Sequence, residues 1–256
     1  MNNLLNNNKI LVAGAGGLLG AKIVKSALEQ GAYVIAADID VEQMKEKLIA
    51  QQVDISDEAL TLELLDVTKE ESVKAIFESQ VGLTGAVNST YPRNKTYGAH
   101  FFDVSLHSFN ENLALHLGSA FLFTQQCASY FKGKLEPFSL VNISSIYGVV
   151  APKFDIYDNT PMTMPVEYAA IKSAIIHLNK YASTYVNDSR FRVNSVSPGG
   201  IFDHQPSDFL EAYKSNTHGM GMLDAQEMIG SILFLLSTQS KFVTGQNIIV
   251  DDGFSL

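Results

Sequence analysis

Short apolar runs alternate with longer segments of helical periodicity along this whole sequence, and that alternation admits few folds. Lys9–Ala13, Ala32–Ala37, Leu60–Leu65, Thr84–Asn88, Phe138–Ser144, Phe191–Val196 and Asn247–Val250 read as strands. Between them Gly17–Gln30, Val41–Gln51, Glu70–Gln80, Ser105–Phe131, Val166–Val186 and Ala225–Ser237 repeat apolar residues at helical spacing. Strands that are apolar throughout, separated by helices, belong to a parallel sheet covered on both faces. No low-complexity linker or short-period repeat interrupts the pattern. The expectation is α/β, a single doubly wound domain over residues 1–256.

Composition narrows the partners. A formal charge of −9 argues against a nucleic-acid or anionic-membrane surface, which needs a basic face. Cys127 is the only cysteine, so no internal disulfide is available and a reducing, cytoplasmic setting is expected. No apolar run is long enough to span a bilayer, and the opening MNNLLNNNKILVAG lacks the features of a secretory signal. His100, His107 and His204 show no ligand spacing with acids or with Cys127, so no metal is expected.

Residues 13–20 read AGAGGLLG between the first strand and the first helix. Glycines there permit a tight turn and close approach of backbone amides to a pyrophosphate at a helix N-terminus. The G-x-G-x-x-G template fails at Leu19, whereas Gly14, Gly17 and Gly20 fit a looser spacing; Gly14, Gly17, Leu19 and Gly20 are the expected cofactor-binding residues of the turn. Asp38 ends the second strand. Its carboxylate suits the two hydroxyls of an adenosine ribose and would repel a 2′-phosphate, which favours NAD over NADP. A helix cap or a solvated strand end is the alternative, and Asp40 competes for either role.

A tyrosine four residues before a lysine shares its helical face, and the ammonium can draw the phenol's pKa down from about 10. The spacing occurs at Tyr91/Lys95, Tyr130/Lys134 and Tyr168/Lys172. Pro92 puts the first pair in a loop. Tyr130 sits near a fraying helix end beside Gly133, which predicts a solvated pair. Tyr168 and Lys172 lie early in a strong helix, after a strand whose carboxyl end carries Ser144 and Ser145, where open sheets bind ligands.

Taken in order, the glycine turn, Asp38, Leu65-Asp66-Val67, Asn142-Ile143-Ser144-Ser145, Tyr168-x-x-x-Lys172, Arg192-Val193-Asn194-Ser195-Val196-Ser197-Pro198-Gly199 and the stretch from Gly245 to Gly253 resemble the short-chain dehydrogenase/reductase family over nearly the whole chain. The segments YPRNKTYG, HLGSAFLFTQQ, PVEYAAIKSA and SPGGIFD are similar to bacterial oxidoreductases of flagellin modification and nonulosonic-acid sugar synthesis. The resemblance implies a Rossmann-type domain that interconverts a secondary alcohol and a ketone with NAD. It gives Tyr168 the proton transfer, Lys172 the tuning of Tyr168 and the nicotinamide ribose, and Ser145 the substrate oxygen. It assigns Asp66 and Val67 to the adenine, Asn88 to the cofactor channel, and Pro198, Gly199 and Ile201 to the nicotinamide. It also implies a homodimer or homotetramer through the long helix and the Tyr168 helix, whose apolar breadth suggests a second buried face.

Departures from that pattern locate the open questions. The middle glycine of the turn falls on Leu18, and Asn88-Ser89-Thr90-Tyr91 replaces the usual Asn-Asn-Ala-Gly. His116 aligns with the family's catalytic asparagine, with Asn112 one turn earlier; His116 is either a proton relay or a satisfied core residue. Asp203 stands where a threonine is usual. Ser145 and Tyr168 are 23 positions apart, and the added stretch Pro152–Pro165 shapes a substrate pocket or is a plain surface insertion. Arg93 and Lys95 either meet an anionic group on a small-molecule substrate or are solvated loop charges. A sugar-derived substrate is the leading reading. An epimerase or dehydratase that uses NAD transiently and a non-catalytic nucleotide sensor are the alternatives.

Overall fold

The computed structural model describes residues 3–256. Seven strands, β1 (Lys9–Ala13), β2 (Tyr33–Asp38), β3 (Leu60–Leu64), β4 (Gly85–Asn88), β5 (Phe138–Ile143), β6 (Phe191–Pro198) and β7 (Asn247–Val250), form one sheet in the order β3-β2-β1-β4-β5-β6-β7. Every neighbouring pair is parallel. The helices are α1 (Leu18–Glu29), α2 (Val41–Ala50), α3 (Glu70–Ser79), α4 (Leu106–Asn112), α5 (Gly118–Lys134), α6 (Val166–Val186), α7 (Ser207–Lys214) and α8 (Ile229–Leu236).

Alternate residues of the strands feed two cores. Ile10 and Val12 of β1 pack with Ile23 of α1 and Ile232 of α8 on one face, while Leu11 and Ala13 pack with Phe77 of α3 and Phe123 of α5 on the other. Local chemistry ends the helices: Asp40 caps α2 by accepting from the Gln43 amide at 2.9 Å, and Asn187 closes α6 in the left-handed region. Arg192 of β6 is buried, yet its guanidinium is satisfied by the carbonyls of Leu235, Ser237 and Ser240 and by the Ser240 hydroxyl, which ties the sheet to the end of α8. The sheet order reverses between β1 and β4, which opens a crevice at the carboxyl ends of these strands.

Two elements and one side chain differ from expectation. The long helix expected over Ser105–Phe131 is interrupted: α4 and α5 are joined by a π turn, Leu113–Leu117. The segment is apolar on more than one face, so the one-residue shift of register in that turn leaves no visible break in the pattern. Helix α7 is absent from the expected elements, although Phe209 and Tyr213, four residues apart, bury one face of it. Tyr130 is buried, not solvated, because its hydroxyl accepts a hydrogen bond from the Leu83 amide at 3.0 Å. Among the described residues no helix is long and apolar enough to cross a membrane.

Candidate active site

Two adjoining cavities occupy the crevice. The first, about 440 Å³, runs along the glycine turn and is lined by Gly14, Gly17, Asp38, Asp66 and Val67. Gly14 has φ +80°, and a Cβ there would sit 3.0 Å from the backbone of Ser89 and Thr90, so only glycine fits. Gly20 is required by packing: a Cβ would lie on the Gly14 carbonyl. The first helical hydrogen bond of α1 runs from Ala21 to Gly17 at 3.1 Å, and no side chain caps the helix, which leaves the first-turn amides for an anion. The Leu19 side chain is buried in the core. Asp38 sits at the end of β2 and accepts from the Gly16 amide at 2.8 Å and from Ile39 at 2.8 Å. Asp40 is occupied as the cap of α2, which separates the two acids that the sequence left in competition.

The second cavity, about 550 Å³, holds Ser145, Tyr168, Pro198, Gly199 and Ile201 together with Leu18 and Asp203. Ser145 follows β5 and its hydroxyl accepts from the Tyr147 amide at 3.2 Å, which fixes the turn. Lys172 is buried one helical turn behind Tyr168; its ammonium donates to the Ile143 carbonyl at 2.9 Å and lies 3.4 Å from Nε2 of His116. Burial pulls the Lys172 ammonium down to about 7, and burial together with Lys172 pulls His116 down to about 2. His116 is therefore neutral, with Nε2 facing the ammonium as acceptor and the proton assigned to Nδ1, a buried atom without a protein partner. Burial also raises the Tyr168 phenol above 10, with the Ser145 hydroxyl acting in the opposite direction. The expected drop toward neutrality is thus reversed in the protein alone, because desolvation of the phenolate outweighs the Ser145 hydrogen bond.

Residues that the sequence left as alternatives separate here. Asn112 is occupied structurally: its amide oxygen accepts from the Asn94 backbone at 3.0 Å and its nitrogen donates to Asn94 Oδ1 at 3.1 Å and to the Ser108 carbonyl at 3.0 Å. His116, not Asn112, reaches Lys172. Asn88 is buried, and its side chain accepts from Thr90, so it organises the turn after β4 from behind the groove wall. Arg93 lines the first cavity, not the pocket of Ser145 and Tyr168. Lys95 is exposed. The stretch Pro152–Pro165 is a pocket wall: Ile156, Tyr157, Met162 and Met164 pack on Tyr147, Phe209 and Tyr213, and Pro161–Pro165 line the second cavity.

Sequence reasoning missed Tyr91. The loop assignment from Pro92 holds, but the loop leaves the carboxyl end of β4 and folds over the site, so that Tyr91 lines both cavities. An aromatic residue just past a strand that ends on the ligand-binding rim was the available signal.

A family model described as enoyl-(acyl carrier protein) reductase matches residues 14–255. The post-translational flagellin modification protein A of Campylobacter coli is 39% identical over 99% of this chain and 100% of its own length. A 2,5-dichloro-2,5-cyclohexadiene-1,4-diol dehydrogenase of Sphingobium indicum is 29% identical over 100% of this chain and 99% of its own. The crystal structure of a short chain dehydrogenase from Leptospira borgpetersenii with bound NAD+ superposes with a TM-score of 0.87 at 30% identity, covering 100% of this chain and 95% of that one.

Proposed function

The chain belongs to the short-chain dehydrogenase/reductase family of oxidoreductases, and from that premise we propose that it interconverts a secondary alcohol and a ketone on a sugar-derived substrate, with NAD as cofactor. The observation that carries this reading is the meeting of Tyr168, Lys172 and Ser145 where the glycine-turn groove adjoins a second pocket. The groove suits the cofactor: Gly14 leaves a cradle that a Cβ would fill, the first-turn amides of α1 face a pyrophosphate, and Asp38 offers a carboxylate to ribose hydroxyls. Gly17, Gly20 and the Leu19 backbone complete the turn; Asp66 and Val67 border the adenine end, and Pro198, Gly199 and Ile201 the nicotinamide end. When bound, NAD(H) supplies the acceptor or donor of hydride.

The chain's own residues handle the proton and the geometry. The Tyr168 hydroxyl exchanges its proton with the substrate oxygen, and the Ser145 hydroxyl donates to that oxygen and orients it. Lys172 holds or releases a proton near neutral pH, and His116, in hydrogen-bond range behind it, is the next site of the relay. Residues of the Pro152–Pro165 wall and Leu18 border the pocket.

Setting and assembly belong to the same proposal. The flagellin-modification relative supports a role in glycan metabolism, the acidic chain and its single buried Cys127 support a cytoplasmic setting, and the exposed aromatic face of α5 and α6 supports a homodimer or homotetramer. The test is a screen of sugar phosphates and nucleotide sugars with NAD(H), followed by absorbance of the reduced nicotinamide. Tyr168→Phe is expected to lower turnover at least 1000-fold while NADH affinity stays within about threefold. Full activity in that variant overturns the mechanism, and turnover without net NADH points to transient cofactor use.

A further inference from the structure

Tyr91 stands where the family pattern has a small residue, and its ring lies against every member of the proton-handling group. It packs edge-on to Tyr168, with centroids 5.6 Å apart, and to His116 at 5.1 Å. The Lys172 ammonium lies 5.6 Å from its centroid and the Arg93 guanidinium 4.9 Å. Its hydroxyl is hydrogen-bonded to that of Tyr97, whose ring also packs edge-on at 5.7 Å. The loop is fixed independently through the Asn94–Asn112 pair, the Asn94–Glu111 hydrogen bond and the Thr96–Ser108 hydroxyls, so the ring is delivered by α4 and not merely draped.

The surroundings of Lys172 give that ring a purpose. Among the described residues Lys172 makes no ion pair. Its polar partners are the Ile143 carbonyl of β5 and the neutral His116 of the π turn. Its aromatic partners are Tyr168 on its own helix, at 5.5 Å, and Tyr91 from the loop. Arg93 and the buried Glu167 are the charged groups near Tyr91. A buried ammonium without a carboxylate is held by dipoles and π faces, and each face counts for more where water is excluded.

We propose that Tyr91 is a positioning residue of the reaction: its ring, tethered to Tyr97, braces Tyr168 against Lys172 and gives the ammonium its second π face. This rests on the reading of Tyr168 as the proton-exchanging group, but the first experiment needs no turnover. Protein grown with 13C-labelled lysine is titrated by NMR, with the Lys172 signal assigned by its loss in Lys172→Arg, in the free protein and with NADH as probe. Tyr91→Phe, which keeps the ring, is expected to titrate within about 0.2 pH units of the unsubstituted protein, and Tyr91→Leu about 0.5 to 1 pH units lower. An unmoved Lys172 midpoint in Tyr91→Leu, or an equal displacement in Tyr91→Phe, overturns the proposal. On any secondary alcohol the enzyme oxidises, Tyr91→Leu is expected to lower kcat about tenfold with NADH affinity kept within about threefold, and Tyr91→Phe to restore most of the loss. A matching loss of NADH affinity makes the ring a cofactor contact and overturns it as well. Should Tyr91→Leu fail to fold, Tyr91→Met, which also removes the π face, takes its place: a downward displacement of the Lys172 midpoint supports the proposal, and an unchanged midpoint overturns it.

Discussion

Lys172 is the side chain whose surroundings carry the clearest thermodynamic signature. Its folded pKa of about 7 lies below the ordinary 10.5, so between these values the unfolded chain binds more protons than the native one, and stability contributed by this group rises with pH. In thermal melts the unsubstituted protein is expected to gain Tm relative to Lys172→Met from pH 7 to 9.5; parallel pH dependence of the two would contradict the assigned environment. His116 obeys the same relation in another window: with a folded pKa near 2 and an ordinary value of 6.5, it costs stability as pH falls below about 6.5, and His116→Gln is expected to lose less Tm between pH 7 and 5 than the unsubstituted protein. The two aspartates that flank the end of β2 divide cleanly. Asp38→Ala is expected to weaken NADH binding about tenfold or more and, with the loss of the hydrogen bonds from the Gly16 and Ile39 amides, to cost about 1 kcal/mol of stability. Asp40→Ala is expected to lose about 1 kcal/mol of stability with the α2 cap and to leave NADH affinity unchanged. An equal effect of both substitutions on binding would remove Asp38 from the ribose site.

At the level of elements, the wall formed by Pro152–Pro165 is where selectivity is expected to reside. It borders the second cavity but not the first, so replacing residues 158–163 with a Gly-Ser linker should change which alcohols are oxidised while NADH affinity holds; unchanged selectivity would return the segment to the status of a surface insertion. The strands and most helices were legible because their burial leaves a continuous or periodic apolar signature, and the site acids and bases were legible because they occupy the rims of those strands. What escaped was whatever depends on contacts between distant segments. The π turn advances the register by one residue within a segment that is apolar on more than one face, so the sequence carries no mark of it, and it is from this turn that His116 reaches Lys172. Tyr130 looked solvated because nothing local discloses that the Leu83 amide will meet its hydroxyl. Tyr91 and Arg93 were assigned to a loop correctly, yet a loop's residue types do not say which of two cavities it will cover.

For the molecule as a whole, the outer faces of α5 and α6 leave Phe121, Tyr181 and Tyr185 exposed around a depression of about 610 Å³. Light scattering at micromolar concentration is expected to give a dimer or tetramer, and Tyr185→Lys with Phe121→Glu to give a smaller species; a monomer in the unsubstituted protein would leave that face without a role. Because all seven strands run the same way, the reactive groups gather on one rim of the sheet, and the turns that lead into β2, β4, β5 and β6, with left-handed backbone at Gly31, Gly82, Leu135 and Asn187, gather on the other. That polarity gives the catalyst a natural back side: a cysteine engineered at Gln30 or Val81 and coupled to a resin would moor the enzyme with its mouth turned toward the bulk liquid, free of the support.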